Sequence, residues 1–326
     1  MTAHRPLLYL LAYIPPALLP LAAWLGLVTG WVDAFAWLPL VVLFVVLPII
    51  DAWLGADASV PPDDGISFEA LQNSAAYRWL TIACVPLQWA LLAWSLWHWQ
   101  RTDFGVMGSI GWVLSLGVVG GVLAINVAHE LIHKAGRVEP FLGGLLLASV
   151  GYAGFKIEHL RGHHVHVATP LDPSTARLGE SSFEFVMRGL LLNPARAWRI
   201  ARTPTERVEL LVWHAVTLTA AVAFGVWLGA GALLAFLAQA LIAAGSLEVI
   251  NYVEHYGLTR DRCAHGRFER ISHAHSWNSN FTLTNVMLFQ LQRHADHHAH
   301  PRRRYQSLRH HPDSPQLPAG YSAMFL

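Results

Sequence analysis

Cysteine is nearly absent from the sequence: Cys84, inside an apolar run, and Cys263, in a polar segment, are the only two. This excludes a disulfide framework and any four-cysteine metal site within the chain, so metal chemistry here has to rest on other ligands. Charge is scarce as well. Of 326 residues, 13% are Asp, Glu, Lys or Arg and 54% are apolar, with a net charge of +1. A soluble domain carries about 25% charged residues, so a membrane protein is the better class. No basic stripe is present, and nucleic acid is not an expected partner. There is also no repeat of fixed period and no low-complexity segment.

What the chain does have is apolar runs long enough to cross a membrane. Residues 7–27, 34–54, 80–99, 108–129, 210–228 and 232–250 each approach the ~20 residues that span a hydrocarbon core of about 30 Å. The first contains Pro15, Pro16 and Pro20, which predict a kinked helix. It is long for a signal peptide, and another apolar run follows almost at once. Residues 141–155 are apolar but too few for a comfortable crossing, and read as a re-entrant or interfacial helix. The expectation is one all-α integral membrane domain over residues 1–326, with six transmembrane helices.

Six spans put both termini on one side. With that side cytoplasmic, residues 1–6, 55–79, 130–209 and 251–326 face inward and hold every Lys and Arg except Arg101. Arg5, Arg78, Lys134, Arg207 and Arg260 stand near span ends, where such charge sets orientation. A seventh span at 141–155 would separate the histidine groups described next across the membrane.

Histidine is the abundant reactive residue. His129 and His133 lie four apart at the end of the fourth run, on one helical face. His159, His163 and His164 form a second group, His255 stands alone in Asn251-Tyr-Val-Glu-His-Tyr-Gly-Leu258, and His294, His297 and His298 form the last. Nine imidazoles exceed what one metal can use and favour a dinuclear centre. Imidazole suits iron, zinc, copper and nickel, so ligand type leaves the metal open. Glu130, Glu158, Glu254 and Asp296 each adjoin a motif histidine, and are expected to accept a ring N–H and fix the tautomer. His98 and His214 read as satisfied interfacial residues, while His166, His273 and His275 merely flank the site.

Two other readings compete. His129-Glu-Leu-Ile-His133 fits the His-Glu-x-x-His pattern of zinc peptidases, with Glu130 as general base. A zinc site needs only one further protein ligand, which leaves the other clustered histidines without a role. A metal carrier would need ionisable residues along an ion path through the spans, and the apolar runs have almost none.

The chain resembles the bacterial alkane 1-monooxygenases, integral-membrane di-iron hydroxylases of the wider membrane desaturase and hydroxylase group. The resemblance covers nearly the whole chain. It rests on His129-Glu-Leu-Ile-His-Lys134, on Glu158-His-Leu-Arg-Gly-His-His164 leading into Val167-Ala-Thr-Pro-Leu-Asp-Pro173, and on the His-Tyr-Gly element at His255. Ser276-Trp-Asn-Ser279, Leu291-Gln-Arg-His-Ala-Asp-His-His-Ala-His-Pro301 and Tyr305-Gln-Ser-Leu-Arg309 complete it. His273-Ala-His275 departs from the adjacent histidines usual there.

The resemblance implies two iron ions held by the nine histidines on the cytoplasmic side of the bacterial inner membrane. It also implies O₂-dependent hydroxylation of the terminal carbon of n-alkanes drawn from the bilayer. Electrons would come from a separate rubredoxin, reduced by a flavin reductase. Rubredoxins tend to be acidic, so Arg302, Arg303 and Arg304, with Arg199 and Arg202, are the expected docking cations. Within the same chemistry the alternatives are a xylene-type methyl hydroxylase and a membrane desaturase.

Overall fold

A computed structural model describes residues 5–57, 59, 61, 62 and 65–326. It is helical, and its only extended pairings among the described residues are three isolated bridges. Among the described residues, five helices are long and apolar enough to cross a membrane. They are α1 (Pro6–Thr29), α3 (Gly65–Arg101), α4 (Val106–Ile132), α8 (Pro204–Leu228) and α9 (Ala230–His255). The expected second span is shorter than the others: α2 covers Leu38–Leu54, after a single turn of helix at Val32–Phe35. Pro39 enters α2 in its first turn, where a missing N–H costs nothing.

Pro15 and Pro16 of α1 sit where its pitch changes, and Pro20 lies inside the helix. Residues Pro6–Tyr13 wind as a 3₁₀ helix, and the α-helix takes over at Ile14 with Pro15 in its first turn. Because proline offers no N–H, the tighter winding upstream is not continued into an ordinary ladder across this point.

The expected short helix at 141–155 is α5 (Val138–Ser149), and the chain then turns into a second helical stretch, α6, over 155–166. A longer surface helix, α7 (Ser182–Ile200), leads to α8. The last two spans outrun their apolar sequences. Capping boxes at Ser181 with Glu184 and at Thr203 with Glu206 start α7 and α8, so α8 begins before the hydropathy rises.

Glycine decides how closely the spans approach. A Cβ at Gly117 would lie 2.5 Å from the Ile242 Cβ, so α4 and α9 pack nearly backbone to backbone. Gly144 of α5 receives the Trp213 ring of α8 in the same way. The first of these contacts holds α4, which ends in His129 and His133, against α9, which ends in His255. Outward, Leu27, Ile49, Leu218, Val226 and Leu241 are among the exposed apolar side chains, a surface that only lipid would cover.

Two buried polar clamps fix the C-terminal segment over the helix ends. The Asp51 carboxylate at the end of α2 accepts from Leu283 N at 2.8 Å and from the Thr284 hydroxyl at 2.5 Å, and so holds the short helix α10 (Thr282–Met287). Arg293, 1% exposed, meets Asp57 at 3.0 Å. The next residue, His294, opens helix α11 (His294–Ala299).

Candidate metal centre

Four helices deliver the nine histidines. His129 and His133 close α4, His159, His163 and His164 lie on α6, His255 ends α9, and His294, His297 and His298 lie on α11. All but His164 are at most 8% exposed. Three π-turns adjoin the site, at Val42–Val46, Gly121–Ile125 and His159–His163. In each, the N–H after the turn reaches back five residues, as Asn126 does to Gly121 and His164 to His159. The extra residue rotates the side chains that follow and turns them toward one point, a common feature of functional helices.

The imidazoles form two adjacent groups. One holds His129, His133, His159, His164 and His297, the other His163, His255, His294 and His298, and within each the ring nitrogens lie within 4.8 Å of one another. In the first, Nε2 atoms are 3.0 Å apart between His133 and His159, 3.0 Å between His159 and His164, and 3.1 Å between His164 and His297. In the second, His163 to His298 is 3.2 Å, His298 to His294 is 2.9 Å and His294 to His255 is 3.3 Å. Nitrogens each about 2.1 Å from a shared metal would be separated by about 3 Å along a coordination edge, so both groups fit a metal ion. Nδ1 of His255, His294 and His298 has no partner, consistent with the working nitrogen being Nε2.

Burial, reinforced by neighbouring imidazoles, pushes His159, His164, His294, His297 and His298 well below the ordinary imidazole range. They are therefore neutral, the form that ligates. His163 differs. Burial works against its charge, but the Asp172 carboxylate, 2.9 Å from Nδ1, outweighs burial and raises its pKa. Burial also opposes the Asp172 charge, yet His163 and the Thr175 hydroxyl at 2.8 Å hold that carboxyl below its usual range. Asp172 thus keeps a proton on Nδ1 and aims Nε2 at the group.

Of the four carboxylates expected to serve motif histidines, three pair with other groups. Glu130 pairs with Lys134 at 2.8 Å, and Glu158 with Arg196 at 2.8 Å, while burial and Asp172 push the Glu158 carboxyl up to about 8. Asp296 accepts from Arg303 at 2.7 and 2.9 Å, from Arg309 N at 3.0 Å and from His311 at 2.9 Å. Glu254 alone reaches a motif imidazole: its Oε2 is 3.3 Å from Nε2 of His294, the nitrogen that faces the group. Glu130, Glu158 and Asp296 thus bond groups other than the motif rings expected for them. A side chain next to a histidine in a helix points away from it, so sequence adjacency does not find the carboxylate that serves that histidine. Asp172, nine residues beyond His163, does the orienting; its signal was a lone acid in the Pro170-Leu-Asp-Pro173 segment.

The flanking histidines stay outside both groups. His275 bonds Glu269 at 3.1 Å, and His273 stacks on His311 at 3.5 Å, with Asp296 3.7 Å away. The three consecutive arginines are not equivalent either. Arg303 is bound to Asp296, and Arg304 holds Glu139 at 2.7 and 3.1 Å, leaving Arg302 exposed.

An apolar cavity of about 100 Å³ ends at these rings. Leu43, Phe44, Val122 and Leu247 line its wall, and His129 and His159 of the first group and His294 of the second lie at its head. Two of the three π-turns supply wall residues and the third supplies His159.

Membrane-length helices whose ends converge in buried imidazoles define a multi-pass membrane protein with a candidate metal centre. The fatty acid desaturase family model matches residues 105–325. Alkane 1-monooxygenase 2 of Alcanivorax borkumensis is 44% identical over 95% of this chain and 83% of its own. Alkane 1-monooxygenase 2 of Pseudomonas aeruginosa is 46% identical over 94% and 84%. The hydroxylase component of the xylene/toluene monooxygenase of Pseudomonas putida is more distant, 29% identical over 66% of this chain and 60% of its own. The chain belongs to the fatty acid desaturase family and, within it, to the alkane 1-monooxygenases.

Proposed function

We propose that the protein hydroxylates the terminal carbon of n-alkanes, using O₂ and two iron ions, one in each histidine group. The observation that carries this reading is the apolar cavity, because its head is formed by imidazoles of both groups at once. Bound iron would supply the activation of O₂ and the oxidation of the C–H bond. The chain's own residues do the rest. The wall of Leu43, Phe44, Val122 and Leu247 offers an alkane only apolar contact, about 0.8 kcal/mol per buried methylene. The same wall excludes water from the rings. Asp172 holds the proton on His163 Nδ1 so that Nε2 stays available.

The five long helices, with α2 as a sixth span, would place the histidines at the cytoplasmic face of the inner membrane. The bias of Lys and Arg toward the histidine-bearing segments supports that orientation. Electrons would come from a separate, acidic rubredoxin. Arg302 remains exposed to meet it, while Arg303 and Arg304 shape the surface through their ion pairs.

The test is metal content and iron Mössbauer spectroscopy on detergent-purified protein, followed by product analysis with octane and with xylene. Two irons per chain in nitrogen-rich sites and 1-octanol as product are the expected outcome. A preference for xylene would move the reading to aromatic methyl hydroxylation, and an alkene product to desaturation. One zinc and no iron would reject it in favour of a peptidase.

A further inference from the structure

Apart from Arg196, which pairs with Glu158 and Asp172, helix α7 and the pocket at its end have no part in the chemistry above. The inner face of α7 is buried through Phe185, Gly189, Asn193 and Ala197. Gly189 lies so close to Glu248 of α9 that a Cβ would meet its carboxylate, and Asn193 donates to Glu248 at 3.0 Å. Glu248 is about 10 Å along α9 from His255, within the last two turns of that span. The helix therefore lies against the span at the level of the membrane surface, not above it in water.

Its outer face is apolar. Phe183, Met187, Leu191 and Trp198 are 75%, 44%, 67% and 40% exposed, and helical spacing puts them on one side. The stripe continues into Val208, Leu211 and Val212, the exposed apolar start of α8. A helix buried along one side and apolar along the other, continuous with the outer face of a span, lies in the plane of the interface.

At its C-terminal end a cavity of about 460 Å³ is bordered by Arg161, Arg196, Arg199, Arg202, His166 and Leu192. Two of these cations are occupied: Arg196 meets Glu158 and Asp172, at 2.8 and 3.0 Å, and Arg161 pairs with Glu206. Arg199 and Arg202 have no carboxylate partner among the described residues. Two unpaired guanidiniums at the end of an apolar stripe match a phosphate joined to an acyl chain. A soluble anion would use only the arginines. An acidic protein would have to cover a stripe that is continuous with a lipid-facing span.

We propose that α7 is an in-plane membrane helix and that the arginine pocket at its end holds the headgroup phosphate of one anionic phospholipid. This reassigns Arg199 and Arg202 from the docking of an electron donor to the binding of lipid. It rests on the chain being a membrane protein and is independent of the substrate.

Native mass spectrometry of the metal-loaded protein, with added phosphatidylglycerol or phosphatidylcholine, tests the pocket. One phosphatidylglycerol should be retained in preference to phosphatidylcholine. In Arg199→Gln/Arg202→Gln the preference should fall by about fivefold per arginine, with metal content unchanged. Equal retention of the two lipids, or a preference that survives the double substitution, overturns the proposal. So does binding of inorganic phosphate or of an acidic electron carrier at these arginines in place of lipid. A nitroxide at Leu191→Cys, in a Cys263→Ser background because Cys263 is exposed and Cys84 is buried, tests the helix. In vesicles of equal parts phosphatidylcholine and phosphatidylglycerol it should collide with oxygen more than with a water-soluble nickel complex. The same label at Leu218→Cys, in α8, is the control. Only Leu191 in water overturns this proposal, whereas both in water overturn the membrane reading beneath it.

Discussion

The two histidine groups are built from partly shared parts and differ in what surrounds them. Helix α4 gives only to the first group and α9 only to the second, while α6 and α11 give to both. The first group has five imidazoles, and the Phe155 ring stacks on His159 with centroids 4.6 Å apart. The second has four imidazoles with two carboxylates against them, Asp172 on His163 and Glu254 beside His294. The first is therefore a cage of nitrogen alone, while the second carries the anionic Asp172 against its rings, and both reach the cavity. If each holds an iron, the two ions sit in unequal fields, and the Asp172 carboxylate favours the more highly charged state of the second.

The largest test of that inequality removes a ligand unique to each group. His133→Ala should empty the first group and His255→Ala the second, each leaving one iron per chain. Activity should fall in both by more than the 10- to 100-fold typical of losing an outer partner, because the cavity faces both groups. Iron quantitation with Mössbauer spectra of the single remaining iron checks this, and the two spectra should differ. Loss of both irons in either variant would make the groups one inseparable site and end the comparison.

A smaller and more selective effect is expected from Asp172→Asn. The amide cannot hold the Nδ1 proton as the carboxylate does, so iron affinity of the second group alone should drop about 10- to 100-fold. Titration with a chelator should then show two steps where the native protein shows one. A uniform weakening of both irons would mean that Asp172 serves the shared helix α6 and not His163 in particular.

Smaller still is the expected effect of filling the cavity. Val122 lines its wall on the π-turn of α4, and Val122→Phe should shorten the room for substrate without touching a ring. Each methylene excluded costs about 0.8 kcal/mol of apolar contact, so preference should shift toward shorter alkanes by several-fold per carbon. Competition between alkanes of different length, with iron content held at two, measures it. Iron loss in this variant would place Val122 in support of the first group as well.

How much of this was legible in the sequence follows from what each feature depends on. The spans were legible because lipid rewards an unbroken apolar run, but their ends were not. Helices α4 and α9 continue to Ile132 and His255 by turning polar side chains inward onto the site, where hydropathy reads only polarity. The i and i+4 pair at His129 and His133 is local geometry and could be read directly. The pairing of His163 with Asp172 depends on a tight loop that includes Ala168 at φ 58°, and a sequence does not show which way such a loop returns. The π-turns are set by packing, so no spacing announced them. Arg303 and Arg304 looked like part of one basic patch because their partners, Asp296 and Glu139, are chosen by tertiary contact.

The smallest effects separate histidines that ligate from those that are only buried. His98 is 8% exposed and lies in α3 with ring centroids 5.4 Å from Trp94, 4.8 Å from Trp112 and 5.9 Å from Phe104. Its burial resembles that of the nine clustered histidines, but no second imidazole faces it, and the sequence expectation of an interfacial residue understated its packing. His98→Ala should leave both irons and the rate unchanged while opening a cavity among aromatic rings, at a cost of roughly 2–4 kcal/mol in stability. His214, on the exposed side of α8, bonds Leu210 O at 2.7 Å and touches Trp198. His214→Ala should fall within about 0.5 kcal/mol of the native protein. Thermal unfolding in detergent, with iron counted on the same samples, reads both at once. A His98→Ala protein that lost iron would show that the first group depends on packing well beyond its own rings, and the contrast between the two groups would then need to include the helices behind them.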